Sequence, residues 1–100
     1  MAILKQATDA TYNSIGERVQ HWTDVATLYG WLDMTGGEAG YKYNAKLQDT
    51  THIFLCDYVP IDRNPEDKRM VISGVEYDVL LIDNPMEKNY HLEIYLKYLG

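Results

Sequence analysis

The chain reads as an all-β domain, a small β-barrel or sandwich of five to seven mainly antiparallel strands with one long interior loop. Three observations predict it. Short stretches rich in β-branched and aromatic residues recur along the chain, each bounded by a turn signal. No convincing long helix is written into the spacing of the apolar residues. The aromatic complement is nine Tyr and two Trp against one Phe, side chains with a broad apolar body and a polar tip that suit strands and protein interfaces.

Ile3 to Ala7 is a short apolar stretch able to pair as a first strand. Thr8 to Gly16 is rich in turn formers, and Glu17 to Trp22 forms a second short strand closing that hairpin. Trp22 to Ala26, WTDVA, reads as a polar aromatic turn that feeds one long strand over Val25 to Met34. Ala26, Leu28, Gly30 and Leu32 alternate there with Thr27, Tyr29 and Trp31, which predicts a strand covered on both faces. Asp33 to Thr50 is the least strand-like segment and carries three glycines, so it is the expected moving part.

Thr51 to Val59 is a strong strand, with Ile53 and Leu55 on one face and Phe54, Cys56 and Tyr58 on the other; Pro60 stops it. A charged turn, Ile61 to Lys68, leads into Arg69 to Ile72, and Ser73-Gly74 turns that run back into Val75 to Ile82 as a hairpin. Asp83-Asn84-Pro85 breaks the chain again. Tyr90, Leu92, Ile94, Leu96 and Tyr98 then alternate with His91, Glu93, Tyr95 and Lys97, the second face being directed to water or a partner.

One hundred residues make a single domain over 1–100, small enough that assembly adds to the stability of its core. The net charge of -6 with scattered Lys and Arg argues against sequence-specific nucleic-acid binding, although an acidic surface suits a conduit to which DNA must not stick. Cys56 stands alone, which excludes an intrachain disulfide and a cysteine-based metal site. Met1 to Ala10 lacks signal-peptide character and no apolar run approaches a membrane span, so the expectation is a soluble protein made in the cytoplasm, with no membrane partner.

No constellation carries chemistry. His21, His52 and His91 fall in three segments without ligand spacing, and Asp57, Asp62, Glu66 and Asp67 sit in a two-proline run without the central Gly of a calcium loop. Cys56 lies mid-strand beside Phe54 and Leu55, Ser14 and Ser73 lie in turns without a nucleophile elbow, and Thr35-Gly36-Gly37-Glu38 is too short for a phosphate loop. A stacking platform for bases over Trp31, Tyr77, Tyr90, Tyr95 and Tyr98 lacks the basic groove it would need. The expectation is a non-enzyme with no cofactor, no metal and no catalytic residue. Trp22, Trp31, Tyr95 and Tyr98 are the candidate interface aromatics.

Taken in order, the segments resemble the phage head–tail joining family (head–tail adaptor, head-closure or stopper proteins). The parts that carry the resemblance are the strand Ile3 to Gln6, the polar loop Thr8 to Glu17, WTDVA at Trp22 to Ala26, and Leu28 to Met34 with the Gly-containing loop after it. Thr51-His52-Ile53-Phe54, the run Arg69 to Val79 (RMVISGVEYDV), Asn84-Pro85 and the strand His91 to Leu96 (HLEIYL) follow. Nearly the whole chain is covered; the basic opening segment common in the family has no match. The resemblance implies a connector at the virion head–tail junction that contacts portal or adaptor ring proteins, tail completion or tail tube proteins, and itself in a ring of about twelve copies. It also implies that the loop, with Thr35, Gly36, Gly37, Glu38, Gly40, Tyr41 and Tyr43 as channel or subunit-contact residues, helps retain packaged DNA. Two other readings share the architecture, a tail-side completion protein and a generic acidic β-barrel interaction module.

Overall fold

The computed structural model describes residues 1–34 and 49–100. Nine strands follow in chain order: β1 (Ala2–Ala7), β2 (Thr11–Tyr12), β3 (Arg18–Val19), β4 (Trp22–Leu28), β5 (Gly30–Met34), β6 (His52–Asp57), β7 (Lys68–Ile72), β8 (Val75–Asp83) and β9 (His91–Tyr98). Seven of them make one antiparallel sheet in the order β4-β1-β7-β8-β9-β6-β5, and β2 with β3 makes a separate ribbon. The all-β class therefore holds, with more strands than expected because β2 lies in a segment read as turn and the one long strand is two, β4 and β5.

The two edges of the large sheet, β4 and β5, are separated in the chain by Tyr29 alone. The sheet must curl until its edges meet at that residue, giving a sandwich-like body. No ladder joins β4 to β5, so it is not closed into a barrel. Two expectations are corrected here. WTDVA is not a turn but the first part of β4, and the long strand is broken at Tyr29, where pairing passes from β1 to β6.

Directly after the break, β5 comes very close to β6. A Cβ built on Gly30 would lie 1.9 Å from the Leu55 carbonyl oxygen, so only glycine lets β5 approach β6 this closely. Two further irregularities set the alternation. Val25 is the extra residue of a bulge between the Leu4–Ala26 and Lys5–Asp24 pairs. Leu80 is the extra residue between Val79–Leu96 and Leu81–Tyr95, which resets the phase of β8 so that Ile82 points inward.

Cross-strand rows fill the interior: Phe54, Ile94 and Ile82 make one, with Leu32 at its exposed end, and Leu4 with Met70 and Tyr77 makes part of another. Leu4, Leu28, Phe54, Met70, Leu92, Ile94 and Leu96 are fully buried, each contributing about 1.5–3 kcal/mol of apolar burial. The β7–β8 hairpin turns at Ser73 and Gly74, with φ of 51° and 80°; positive φ at both positions is the type I′ geometry that matches the twist of its strands. At the other break, buried Asn84 holds the Pro85–Glu87 3-10 turn. Its Nδ2 donates to Asn89 Oδ1 at 2.8 Å and its Oδ1 accepts from the Asn89 backbone at 3.1 Å.

Cys56 points into this core and is 4 % exposed. Burial pushes its thiol up from the ordinary cysteine value, and the neighbouring charge of Asp57 adds to the rise. The folded protein is therefore expected to leave an aromatic disulfide reagent unreduced at neutral pH and to react only after denaturation. Rapid labelling of the native chain would contradict that placement.

Candidate functional site

Three surface features stand out among the described residues. The first is the outer face of the β4–β5 junction. Tyr29 is 71 % and Trp31 72 % exposed, and all five residues of β5 are exposed. The expectation of a strand covered on both faces fails in the isolated chain: the small-residue side packs inward at Ala26 and Leu28, while the aromatic side is bare. Large aromatic side chains in water on an edge strand are a feature of surfaces that meet another protein.

The second is an apolar pocket of about 410 Å³ lined by Met34, Thr51, His52, Val75, Tyr77 and Tyr98. It sits where β5 and β9 end and β6 and β8 begin. Edge-to-face contacts build its wall, His52 to Tyr77 at 5.1 Å and Tyr77 to Tyr98 at 6.0 Å between ring centroids. Thr51 Oγ1 is occupied, accepting from the Tyr98 backbone N–H at 2.8 Å and sharing a hydrogen bond with His52 Nδ1 at 2.8 Å. The pocket thus presents ring faces and aliphatic carbon.

The third is the β2–β3 ribbon, an arm between β1 and β4 whose residues 11–19 are all exposed. Its tip is internally bonded. Asn13 Oδ1 accepts from the backbone N–H groups of Ile15 and Glu17 at 3.0 and 2.9 Å, and Gly16 takes a φ of 84°. At the base, Thr8 N–H donates to the His21 carbonyl at 2.9 Å, Gln20 Nε2 donates to the Thr8 carbonyl, and Thr11 Oγ1 shares a hydrogen bond with His21 Nε2 at 2.7 Å. Ile15 stands at the apex, 76 % exposed, with Tyr12 at 71 % below it.

The four interface aromatics do not form one surface. Trp31 is exposed on β5 and Tyr98 lines the pocket. Trp22 is half-buried beneath Arg69, whose guanidinium carbon lies 4.4 Å from the ring centroid. Tyr95 is only 7 % exposed, between its cross-strand neighbours Ile53 and Leu81, and donates to Glu93 Oε1 at 3.2 Å. The outer face of β9, expected to meet water or a partner, is therefore closed at that position. The loop residues Thr35, Gly36, Gly37, Glu38, Gly40, Tyr41 and Tyr43 lie outside the described residues.

The charged side chains are organised as ties. His91 Nε2 lies 3.1 Å from Glu93 Oε2, and Arg63 grips Glu87 through two bonds of 2.9 and 3.0 Å. That grip holds the Glu87 carboxyl below its ordinary range. Burial, then the charges of Glu93 and Glu87, push the Asp83 carboxyl up. The acidic turn after Pro60 has a role the spacing did not show: Asp62 and Asp67 close on Lys68 Nζ at 2.9 and 2.7 Å, and Lys68 is 2 % exposed. Among the described residues no three His, Cys, Asp or Glu side chains converge on a metal site. The pocket was the feature missed; a hairpin through Thr8 to Trp22 was expected, but its strands Thr11–Tyr12 and Arg18–Val19 pair with each other as a separate arm.

Compared with known proteins, the chain matches no protein-family model and no curated sequence.

Proposed function

We propose that the chain is a non-enzymatic structural protein of a tailed phage that joins the portal-bearing head to the tail as part of a connector ring. The observation that carries this reading is the set of large side chains left bare on a small domain: Tyr12, Ile15, Tyr29, Trp31, Met34, Met86 and Tyr90 are each more than two-thirds exposed. A domain of this size gains stability and avidity when such surface is repeated around a ring and buried against neighbours.

The working mechanism is templated assembly. Copies settle on the portal or an adaptor ring, bury their aromatic faces, and offer the tail a continuous docking surface. An acidic chain of net charge -6 lining or flanking the conduit repels DNA and lets it pass. Co-sedimentation with purified portal tests this. The protein is expected to travel with portal as a ring, and Trp31→Ser to lose most of that association while keeping its urea midpoint. A wild-type chain that never co-sediments with portal supports the generic interaction module instead.

A further inference from the structure

Two carboxylates meet on the last rung of the β8–β9 ladder, where Asp83 lies directly opposite Glu93. Cross-strand neighbours share a face with Cβ atoms about 5 Å apart, and like charges placed there repel. The donors and cations around them are already committed. Glu93 Oε1 accepts from the Tyr95 hydroxyl at 3.2 Å, its Oε2 lies 3.1 Å from His91 Nε2, and Arg63 is spent on Glu87. Asp57 of β6 pairs with His91 on the far side, Tyr58 and Arg63 belong to the loop that follows β6, and β7 pairs with β8 no further than Asp78. Half-buried Asp83 is thus left without a hydrogen-bond donor among the described residues. The rung also closes a strained turn: Met86, Glu87 and Asn89 hold φ of 55°, 54° and 60°, and Asn84, next to Asp83, carries the bonds that keep the turn in place.

We propose that Asp83 and Glu93 share one proton across this rung, and that its uptake latches the turn from Asn84 to Tyr90. Asp83 takes the proton from solvent and its O–H donates to a second lone pair of the Glu93 carboxylate. The pair passes from two negative charges to one, and a repulsive rung becomes a bonded one. Burial of Asp83, then the charges of Glu93 and Glu87, favour the protonated form, against Arg63 and His91. A carboxyl raised in this way contributes stability below the ordinary aspartate range and loses it as pH rises through its folded value. The latch therefore closes on acidification, before the lowered carboxyls of Asp62 and Glu87 titrate, and eases toward neutral pH. Met86 at 82 % and Tyr90 at 75 % exposed ride on this turn, so one proton sets how firmly two bare side chains are held. The device belongs to the fold and is independent of the head and tail partners.

Carboxyl-carbon NMR titration reads the proton, and urea midpoints with amide hydrogen exchange over the same pH series read its effect. The Asp83 resonance is expected to titrate above the ordinary aspartate range. In Glu93→Gln it should move down part of the way, burial keeping the remainder. Asp83→Asn has the shape of the protonated carboxyl without its charge, so it is expected to have the higher urea midpoint at neutral pH, a lead the wild type closes as pH falls. The Glu87, Lys88 and Asn89 amides, bonded to Asn84 and Pro85, are expected to gain protection several-fold on the same acidification, and to be protected at every pH in Asp83→Asn. His91→Gln is expected to keep that gain; its loss there would assign the proton to His91 and overturn the shared pair. An Asp83 titration within the ordinary range, equal neutral midpoints for wild type and Asp83→Asn, or turn protection that ignores pH would each overturn the latch.

Discussion

Gly30→Ala is expected to cost about 3 to 5 kcal/mol, enough to leave much of the protein unfolded at 37 °C. The added methyl would occupy the space of the Leu55 carbonyl oxygen, 1.9 Å away, and would also press on the Leu55 carbonyl carbon at 2.9 Å and Cys56 Cα at 3.0 Å. These are backbone atoms, so no rotamer change can make room. Relief requires β5 to peel from β6, and the Gly30–Cys56 and Trp31–Leu55 pairs go with it. Because Tyr29 and Gly30 are where the chain passes from one edge of the sheet to the other, losing those pairs opens the body. Gly16→Ala is the control: nothing lies within 4 Å of its Cβ position, and its cost is confined to the φ of 84°. Equal urea midpoints for Gly30→Ala and wild type would refute the close approach.

The second large effect is expected at Lys68. Its side chain is 1 % exposed and is met by Asp62 and Asp67. Burial alone would pull the ammonium's affinity for its proton down, but the bonds from Asp67 and Asp62 outweigh it and leave the group above its ordinary value. Replacing both partners, Asp62→Asn with Asp67→Asn, strands a buried charge, and that costs about 3 to 5 kcal/mol. Adding Lys68→Met should recover most of the loss, since a straight apolar chain fills the same space without a charge. Urea unfolding of the double and triple variants checks both halves of the statement. Failure of Lys68→Met to rescue would mean that the loop, not the charge, is what the carboxylates hold.

The same ion group sets a pH window. The bond from Lys68 holds the Asp62 carboxyl below its ordinary value, so its contribution is present above the unfolded carboxylate range and fades as pH falls through the lowered value. The raised Lys68 contributes below the ordinary lysine range and loses that contribution as pH rises through its folded value. Stability from this tie is therefore full across neutral pH and declines toward both extremes. Asp62 is largely exposed, so screening makes its own share small.

Much of the fold was legible because its signals were local. Ser73-Gly74 between two apolar runs specifies a type I′ hairpin, and the clean alternation of Leu92, Ile94 and Leu96 specifies the inward face of β9. What escaped was set by tertiary geometry. Leu80 looks like any residue of the run VLLI, and only pairing with β9 shows it as the bulge that turns Ile82 inward. Tyr95 alternates with charged neighbours, yet Ile53 and Leu81 flank it, so period-2 reasoning puts it on the right face and misjudges its burial. WTDVA carries turn formers, but β1 offers a complete partner edge, and tertiary pairing overrides local preference there.

The site was less legible than the fold. Trp31 and Tyr98 stood out by residue type as candidate interface aromatics, and both are exposed, Trp31 on a strand expected to be covered. The pocket was not, since Met34, Thr51 and the pair Val75 and Tyr77 come from three places in the chain and only the sheet order gathers them. The lysine tie was likewise hidden: IDRNPEDK reads as a solvated acidic turn until the fold buries Lys68 within it.

The proposed connector role is tested most directly by deleting the coding region from the genome that carries it, inducing that genome, and viewing the lysate by electron microscopy. Heads and finished tails are expected to be separate, with joining restored by the wild-type chain. Intact, joined virions from the deletion would contradict it and leave a self-contained β-domain with a different partner.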